Sequence, residues 1–169
     1  MDFQLMINKR HAVRNYTPQK VEKEKLQQIL ETARLAPTAA NLQPQRLLVL
    51  ETEENLEKLS KCANIYGAPL AIVVCADLEE AWTRPFDGKQ TGDMDASIVT
   101  DQMMMAATEL GLGSLWVCYF QPDVLREELH IPDHIEPINI LALGYEADSN
   151  APQKRRKALS ETVYYEIMK

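Results

Sequence analysis

The sequence predicts a single domain with an α/β or α+β sandwich-type core, and three observations carry that prediction. The chain has 169 residues, a length that suits one domain with a core large enough to stand without disulfides or a structural metal. Four short apolar runs have strand character, and segments with apolar residues at helical spacing lie between them. There is no internal repeat and no low-complexity stretch, so residues 1–169 read as one unit, with 146–169 as a polar tail.

Thr17-Pro18 reads as a helix start, with the hydroxyl as cap and proline in the first turn. Val21, Leu26, Ile29, Leu30 and Ala33 then form an apolar stripe, and Ala36-Pro37 ends the helix because the residue before proline avoids the α region. Arg46 to Leu50 reads as a buried strand and Glu53 to Ala63 as a charged surface helix. Leu70 to Cys75, rich in β-branched residues, reads as a second buried strand. The segment Trp82 to Gly92 has no periodicity and carries Trp82 and Phe86, so it is a loop whose aromatic rings either pack back on the body or wall a pocket.

From Asp93 a long helix runs to Leu110, stopped by Gly111 as a left-handed cap. Ala96, Val99, Met103, Ala106, Ala107 and Leu110 mark its main apolar face, and Ile98, Met104 and Met105 extend it around the helix. A short chain does not easily cover such a helix on every side, so it is expected at a subunit interface. Gly113 to Cys118 follows as a strand, Pro122 to Leu129 as a short helix and Ile138 to Leu143 as a strand. After Gly144 the composition turns polar (Glu146, Asp148, Ser149, Asn150, Pro152), and apolar character returns weakly at Leu159, Val163 and Ile167.

Composition narrows function by exclusion. The longest apolar run, Leu70 to Ala76, is far short of the about 20 residues a membrane helix needs. No basic region precedes an apolar one at the N-terminus, so no signal peptide is expected. Three cysteines without CxxC spacing fit reduced thiols and a cytoplasmic location, with Cys75 and Cys118 as small core residues at strand ends. Pro132 lies between His130 and His134 and spoils the helical spacing of a metal pair, so no metal site is expected. A net charge of −7 argues against nucleic acid. Gly111-Leu112-Gly113-Ser114 starts like a dinucleotide fingerprint but lacks the third small residue and follows a helix instead of a strand. No serine elbow and no phosphate loop occurs.

The positive signals are local. Seven of the 18 cationic residues sit in two acid-free stretches, Lys9, Arg10 and Arg14 near one end and Lys154, Arg155, Arg156 and Lys157 near the other. Each stretch alone is either a solvated basic turn or part of an anion site. Arg10 and Arg14 are spaced to converge on one anion, and the arginine fork suits phosphate oxygens. Ala36-Pro37-Thr38-Ala39-Ala40-Asn41-Leu42-Gln43-Pro44 is a loop of small residues and two amides between prolines, which lets a flat ligand approach the backbone.

Taken in order, Arg10-His11-Ala12-Val13-Arg14, the Ala36 to Pro44 loop, Gly111-Leu112-Gly113-Ser114-Leu115-Trp116, Leu143-Gly144-Tyr145 and Lys154-Arg155-Arg156-Lys157 resemble the nitroreductase family of FMN-dependent oxidoreductases, from about residue 3 to residue 163. The resemblance implies the α+β class, with a central mixed β-sheet flanked by helices, and an intertwined homodimer with FMN at the interface. It implies that Arg10, His11, Ala12 (through its backbone) and Arg14, joined by Lys154 and Arg156, hold the phosphate and ribityl chain. It implies that Pro37, Thr38, Ala39, Asn41 and Gln43 reach the flavin of the partner chain, and that Leu115, Trp116 and Val117 lay their backbone beside the ring. NADH or NADPH would reduce the flavin, and a small electron-poor molecule would reoxidise it in a ping-pong cycle with no catalytic side chain. A flavin-binding sensor or carrier without turnover is the alternative expectation. The chain departs from the family's pattern at Ala12, where the family commonly has serine, and at Gln45, where many members carry an aromatic.

Overall fold

In a computed structural model, residues 2–148 and 151–168 are described; Ser149 and Asn150 of the polar stretch lie outside the described residues. The helices are α1 (Phe3–Lys9), α2 (Lys23–Arg34), α3 (Glu53–Ser60), α4 (Gly92–Glu109) and α5 (Pro122–Leu129). The strands are β1 (Gln45–Leu50), β2 (Leu70–Asp77), β3 (Gly113–Val117) and β4 (Ile135–Gly144). They form one sheet in the order β1-β2-β4-β3, with each neighbouring pair antiparallel. Among the described residues the parallel pairing is the isolated bridge between Ala12 and Ser114, beside β3.

Every residue of β2 is buried, because alternate side chains enter two cores. Ala71, Val73 and Cys75 meet the core shared with Leu59 of α3 and Leu125 of α5. Leu70, Ile72 and Val74 meet the core of Ile29 and Ala33 from α2 and Val99, Met103 and Ala107 from α4. The result is a helix–sheet–helix sandwich, and its central strand is apolar on both faces. β4 begins three residues earlier than the sequence suggests, at Ile135, and runs through Pro137. The register shifts between Val74 and Cys75, opposite Pro137, and this bulge absorbs the missing N–H.

Two further expectations are corrected. The second helix starts at Lys23, not at Thr17-Pro18. The Thr17 N–H is already donated to the Tyr145 carbonyl at 2.8 Å, which keeps the chain extended past Pro18. The Tyr145 hydroxyl then donates to the Glu22 carboxylate at 2.6 Å and accepts from Lys25 Nζ at 2.6 Å, holding the first turn of α2 against the end of β4. Cys118 is exposed and not a core residue, because β3 ends one residue before it; Cys75 is buried as expected.

The helix α4 is covered more fully than its sequence alone implies. The sheet and α2 cover its main face, and Ala96, Val99, Met103 and Ala107 are fully buried within one chain. Met94 and Ile98 remain exposed on its outer side. Gly111, at φ +79°, takes the left-handed position after the helix, and Leu112 N–H closes back on the Ala107 carbonyl at 2.8 Å. No helix among the described residues is long and apolar enough to cross a membrane.

Candidate functional site

The two ends of the chain meet at the edge strand β3. Asp2 caps α1 by accepting from the N–H groups of Gln4 and Leu5, and the helix ends at Arg10. The following residues then run beside β3. Ala12 bridges Ser114, and Val13 N–H donates to the Ser114 carbonyl at 3.0 Å. The approach is close because residue 113 is glycine, where a Cβ would sit 2.8 Å from Val13 Cγ2. Farther on, Tyr16 bridges Glu146, and Ala147 N–H donates to the Asn15 carbonyl at 3.0 Å. The segment after β4 is thus laid against residues 10–17, and it brings the C-terminal cations with it.

Lys154 Nζ donates to the Ile7 carbonyl at the end of α1. Arg10, Lys154 and Arg156 line one hollow of about 500 Å³, with Ile7, Met105 and Asp101 in its walls. Desolvation, together with the charges of Arg10 and Arg156, holds the Lys154 ammonium below the usual lysine range. Three cations converging in this way form a site that an anion would relieve. A larger hollow, about 710 Å³, lies elsewhere, beside Tyr66, and is lined by Lys20 and by Glu51, Glu53 and Glu57. Those carboxylates would repel a phosphate, whereas the smaller hollow carries three cations against the single carboxylate of Asp101.

His11 is half-buried, and both of its ring nitrogens have protein partners. Nδ1 lies 3.0 Å from the Lys9 carbonyl and Nε2 lies 2.8 Å from Glu146 Oε1. Its place is in the joint between the two chain ends. Below it, a small hollow of about 60 Å³ is lined by Arg10, His11, Ser114 and Glu146. The Ser114 hydroxyl is buried there without a hydrogen-bond partner. Arg14 is exposed and stands apart from Arg10, with its guanidinium 5.9 Å from the centre of the Tyr66 ring.

β3 pairs with β4 along one edge only. On its other edge, past the Ala12–Ser114 bridge, the backbone of Leu115, Trp116 and Val117 has no strand partner among the described residues. The Leu115 and Val117 side chains are buried in one core, and Trp116 packs against the other. What this stretch offers a ligand is therefore main-chain N–H and C=O groups.

The Pro37–Gln43 loop is fastened to the other end of α4. Ala39 N–H donates to Asp95 Oδ1 at 2.8 Å, in the first turn of the helix. Thr38 Oγ1 accepts from Gln43 N–H at 3.1 Å, and Gln43 Nε2 donates to the Asn41 carbonyl at 3.2 Å. Ala40, Asn41 and Gln43 all have left-handed backbone, with φ of +51°, +56° and +55°. Thr108, near the far end of α4, lines the hollow under His11. At about 1.5 Å per residue, Asp95 and Thr108 are about 20 Å apart along the helix. Arg10 links the two groups, lining the hollow under His11 beside Ser114 and also the hollow that Lys154 and Arg156 share, while the loop is bonded to the first turn of α4.

Sequence reasoning missed Glu146, Asp95, Tyr66 and the Ser114 hydroxyl. Glu146 is 135 residues from its partner His11, and Asp95 is 56 residues from Ala39. Their roles depend on pairings that no local pattern reveals.

The nitroreductase family model matches residues 7–65 and 56–145. A solved structure of a nitroreductase family protein from Clostridium difficile 630 is 57% identical, with a TM-score of 0.95 over 99% of this chain and 100% of that one. An FMN-dependent nitroreductase from Clostridium difficile R20291 is 29% identical, with a TM-score of 0.82 over 96% of this chain and 98% of its own. The FMN reductase [NAD(P)H] of Bacillus subtilis is 29% identical over 85% of this chain and 66% of its own length. With cations from both of its ends lining one hollow and a family match across most of its length, this chain belongs to the nitroreductase family.

Proposed function

We propose that this protein is an FMN-dependent NAD(P)H oxidoreductase that works in the cytoplasm as a homodimer and reduces small electron-poor molecules such as nitroaromatics or quinones. The observation that carries the reading is the convergence of Arg10, Lys154 and Arg156 on one hollow, drawn from both ends of the chain. That donor set fits FMN, since three cations suit a phosphate dianion and an open strand edge suits the polar rim of a flat ring. The buried Ser114 hydroxyl without a partner is a further donor at the place where Ala12 lacks one.

FMN, when bound, would supply the redox chemistry between NADH or NADPH and the acceptor, so the protein itself needs no acid, base or nucleophile. Arg10, Lys154 and Arg156 hold the phosphate by charge-assisted bonds. His11 and Glu146 fix the two chain ends that carry those cations. Arg14, over the Tyr66 ring, adds positive charge outside the hollow. Leu115, Trp116 and Val117 would offer the ring main-chain donors and acceptors from the unpaired edge of β3. Pro37, Thr38, Ala39, Asn41 and Gln43 complete the site of a second copy. This is supported by their attachment at the opposite end of α4 and by the exposed apolar residues Met94, Ile98, Phe3 and Leu5.

Anaerobic titration of the FMN-loaded protein tests the reading. NADH or NADPH is expected to bleach the visible flavin band, and a nitroaromatic or quinone is expected to restore it. A protein that remains colourless with added FMN, or a loaded protein that neither nucleotide bleaches, sinks the proposal.

A further inference from the structure

We infer that Asp95 is the positioning residue of the Pro37–Gln43 loop and that, through Thr91, it ties this loop to the hairpin carrying Phe86. The inference rests on the flavin reading above.

Asp95 is only 2% exposed, and its carboxyl group faces two different segments. Oδ1 accepts from Ala39 N–H at 2.8 Å, and Oδ2 accepts from the Thr91 hydroxyl at 3.1 Å. Thr91 N–H in turn donates to the Trp82 carbonyl at 3.0 Å, closing the base of a hairpin in which Thr83 bridges Gln90. Arg84 is clamped to Asp87 by two bonds of 2.5 and 2.7 Å, and the hairpin holds Phe86 outward at 94% exposure. The tie is thus one carboxyl group with a loop on one oxygen and a hairpin on the other.

The loop needs an external tie. Three of its residues are non-glycine residues in the left-handed region, a conformation that persists only where surrounding bonds over-determine it. A first-turn acid that merely complements the helix dipole would not need burial. Asp93 already sits in the first turn, exposed, with its Oδ1 on Met94 N–H. Burial of Asp95 makes sense as the anchor of Ala39, so the loop reaches its ligand already shaped.

The chemistry separates two substitutions. Asp95→Ala leaves Ala39 N–H without its partner in a partly buried place. Asp95→Asn keeps an acceptor for Ala39, and its amide can donate to the Thr91 oxygen while the Thr91 proton turns to the Trp82 carbonyl, now 3.3 Å away.

The test measures FMN affinity by fluorescence titration, the visible spectrum and reduction potential of bound FMN, and the melting of the apoprotein, for wild type, Asp95→Ala, Asp95→Asn and Thr91→Val. Asp95→Ala is expected to weaken FMN binding about tenfold and to shift the spectrum and potential. Asp95→Asn is expected to return all three close to wild type. Thr91→Val is expected to shift the spectrum while melting stays near wild type, and it carries the test if Asp95→Ala does not fold. Melting changes alone, with affinity, spectrum and potential at wild-type values in Asp95→Ala or, failing that, in Thr91→Val, overturn the inference. An Asp95→Asn protein as defective as Asp95→Ala also overturns it. A wild-type protein that takes up no FMN overturns the flavin reading itself, and the inference with it.

Discussion

His11 Nε2 lies 2.8 Å from Glu146 Oε1, a contact that joins residues 135 positions apart and locks the first cationic stretch to the segment leading to the second. It is backed by the Tyr16–Glu146 bridge and by Asn15 Nδ2, which donates to Asp148 Oδ2 at 2.6 Å. Replacing Glu146 with alanine is expected to weaken FMN binding about tenfold, because a hydrogen bond to a charged group is worth about 1.5–3 kcal/mol and this one is partly buried. Fluorescence titration with FMN checks it. The same change with affinity intact would show that the tail is held without this pair.

Arg10→Ala and Lys154→Ala should each weaken FMN binding about 10- to 100-fold, the loss expected when a charged donor to phosphate is removed. Riboflavin, which lacks the phosphate, should bind both variants as it binds wild type. Titrations at low and high salt should show a smaller salt dependence in the variants than in wild type.

Lys154 gives the site a pH dependence of definite sign. Its ammonium is held below the usual lysine range, first by desolvation and then by the like charges of Arg10 and Arg156. A lysine depressed in the folded state is a net cost while charged, so that cost in the empty protein disappears as pH rises through its folded pKa. A bound phosphate needs the charged form. FMN affinity should therefore fall across that same rise while the empty protein gains stability, and Lys154→Met should abolish the difference. Titrations and thermal melts at stepped alkaline pH check both signs.

Gly113→Ala should destabilise the protein by about 1–3 kcal/mol. The new methyl would lie 2.8 Å from Val13 Cγ2 and push residues 10–14 away from β3. Denaturant unfolding measures the loss. A further loss of FMN affinity, beyond the fraction unfolded, would show that the closeness of the two strands shapes the site.

The three thiols should react unequally. Cys118 is exposed, whereas burial pushes the Cys75 thiol up to about 12 and raises that of Cys62 as well. A thiol reagent at pH 8 should modify one cysteine quickly in the native protein and all three after unfolding. Cys118→Ser should remove the fast phase.

Much of the fold was legible because it depends on local periodicity. The unbroken apolar run at Leu70–Ala76 marks the central strand, since such a run needs cover on both faces, and two cores provide it. Gly111 marks the end of α4 because a left-handed residue there suits glycine. Thr17-Pro18 misled because its cap chemistry was outbid by a bond from Thr17 N–H to Tyr145, far along the chain. Cys118 misled because apolar character continues one residue beyond the end of β3.

The sequence by itself determined a single domain of strands interleaved with helices, the positions of most of them, and the presence of two cationic stretches on an acidic chain. These follow from side-chain spacing, turn chemistry and charge, which act over a few residues. Only the tertiary structure decided that Arg10, Lys154 and Arg156 share one hollow, that His11 is spoken for by Glu146, and that the Pro37–Gln43 loop hangs from Asp95 at the far end of α4. Those relationships are hydrogen bonds and charge contacts between segments 56 to 147 residues apart. Their partners are chosen by how the sheet and helices pack, and a pattern within one segment carries no record of that choice.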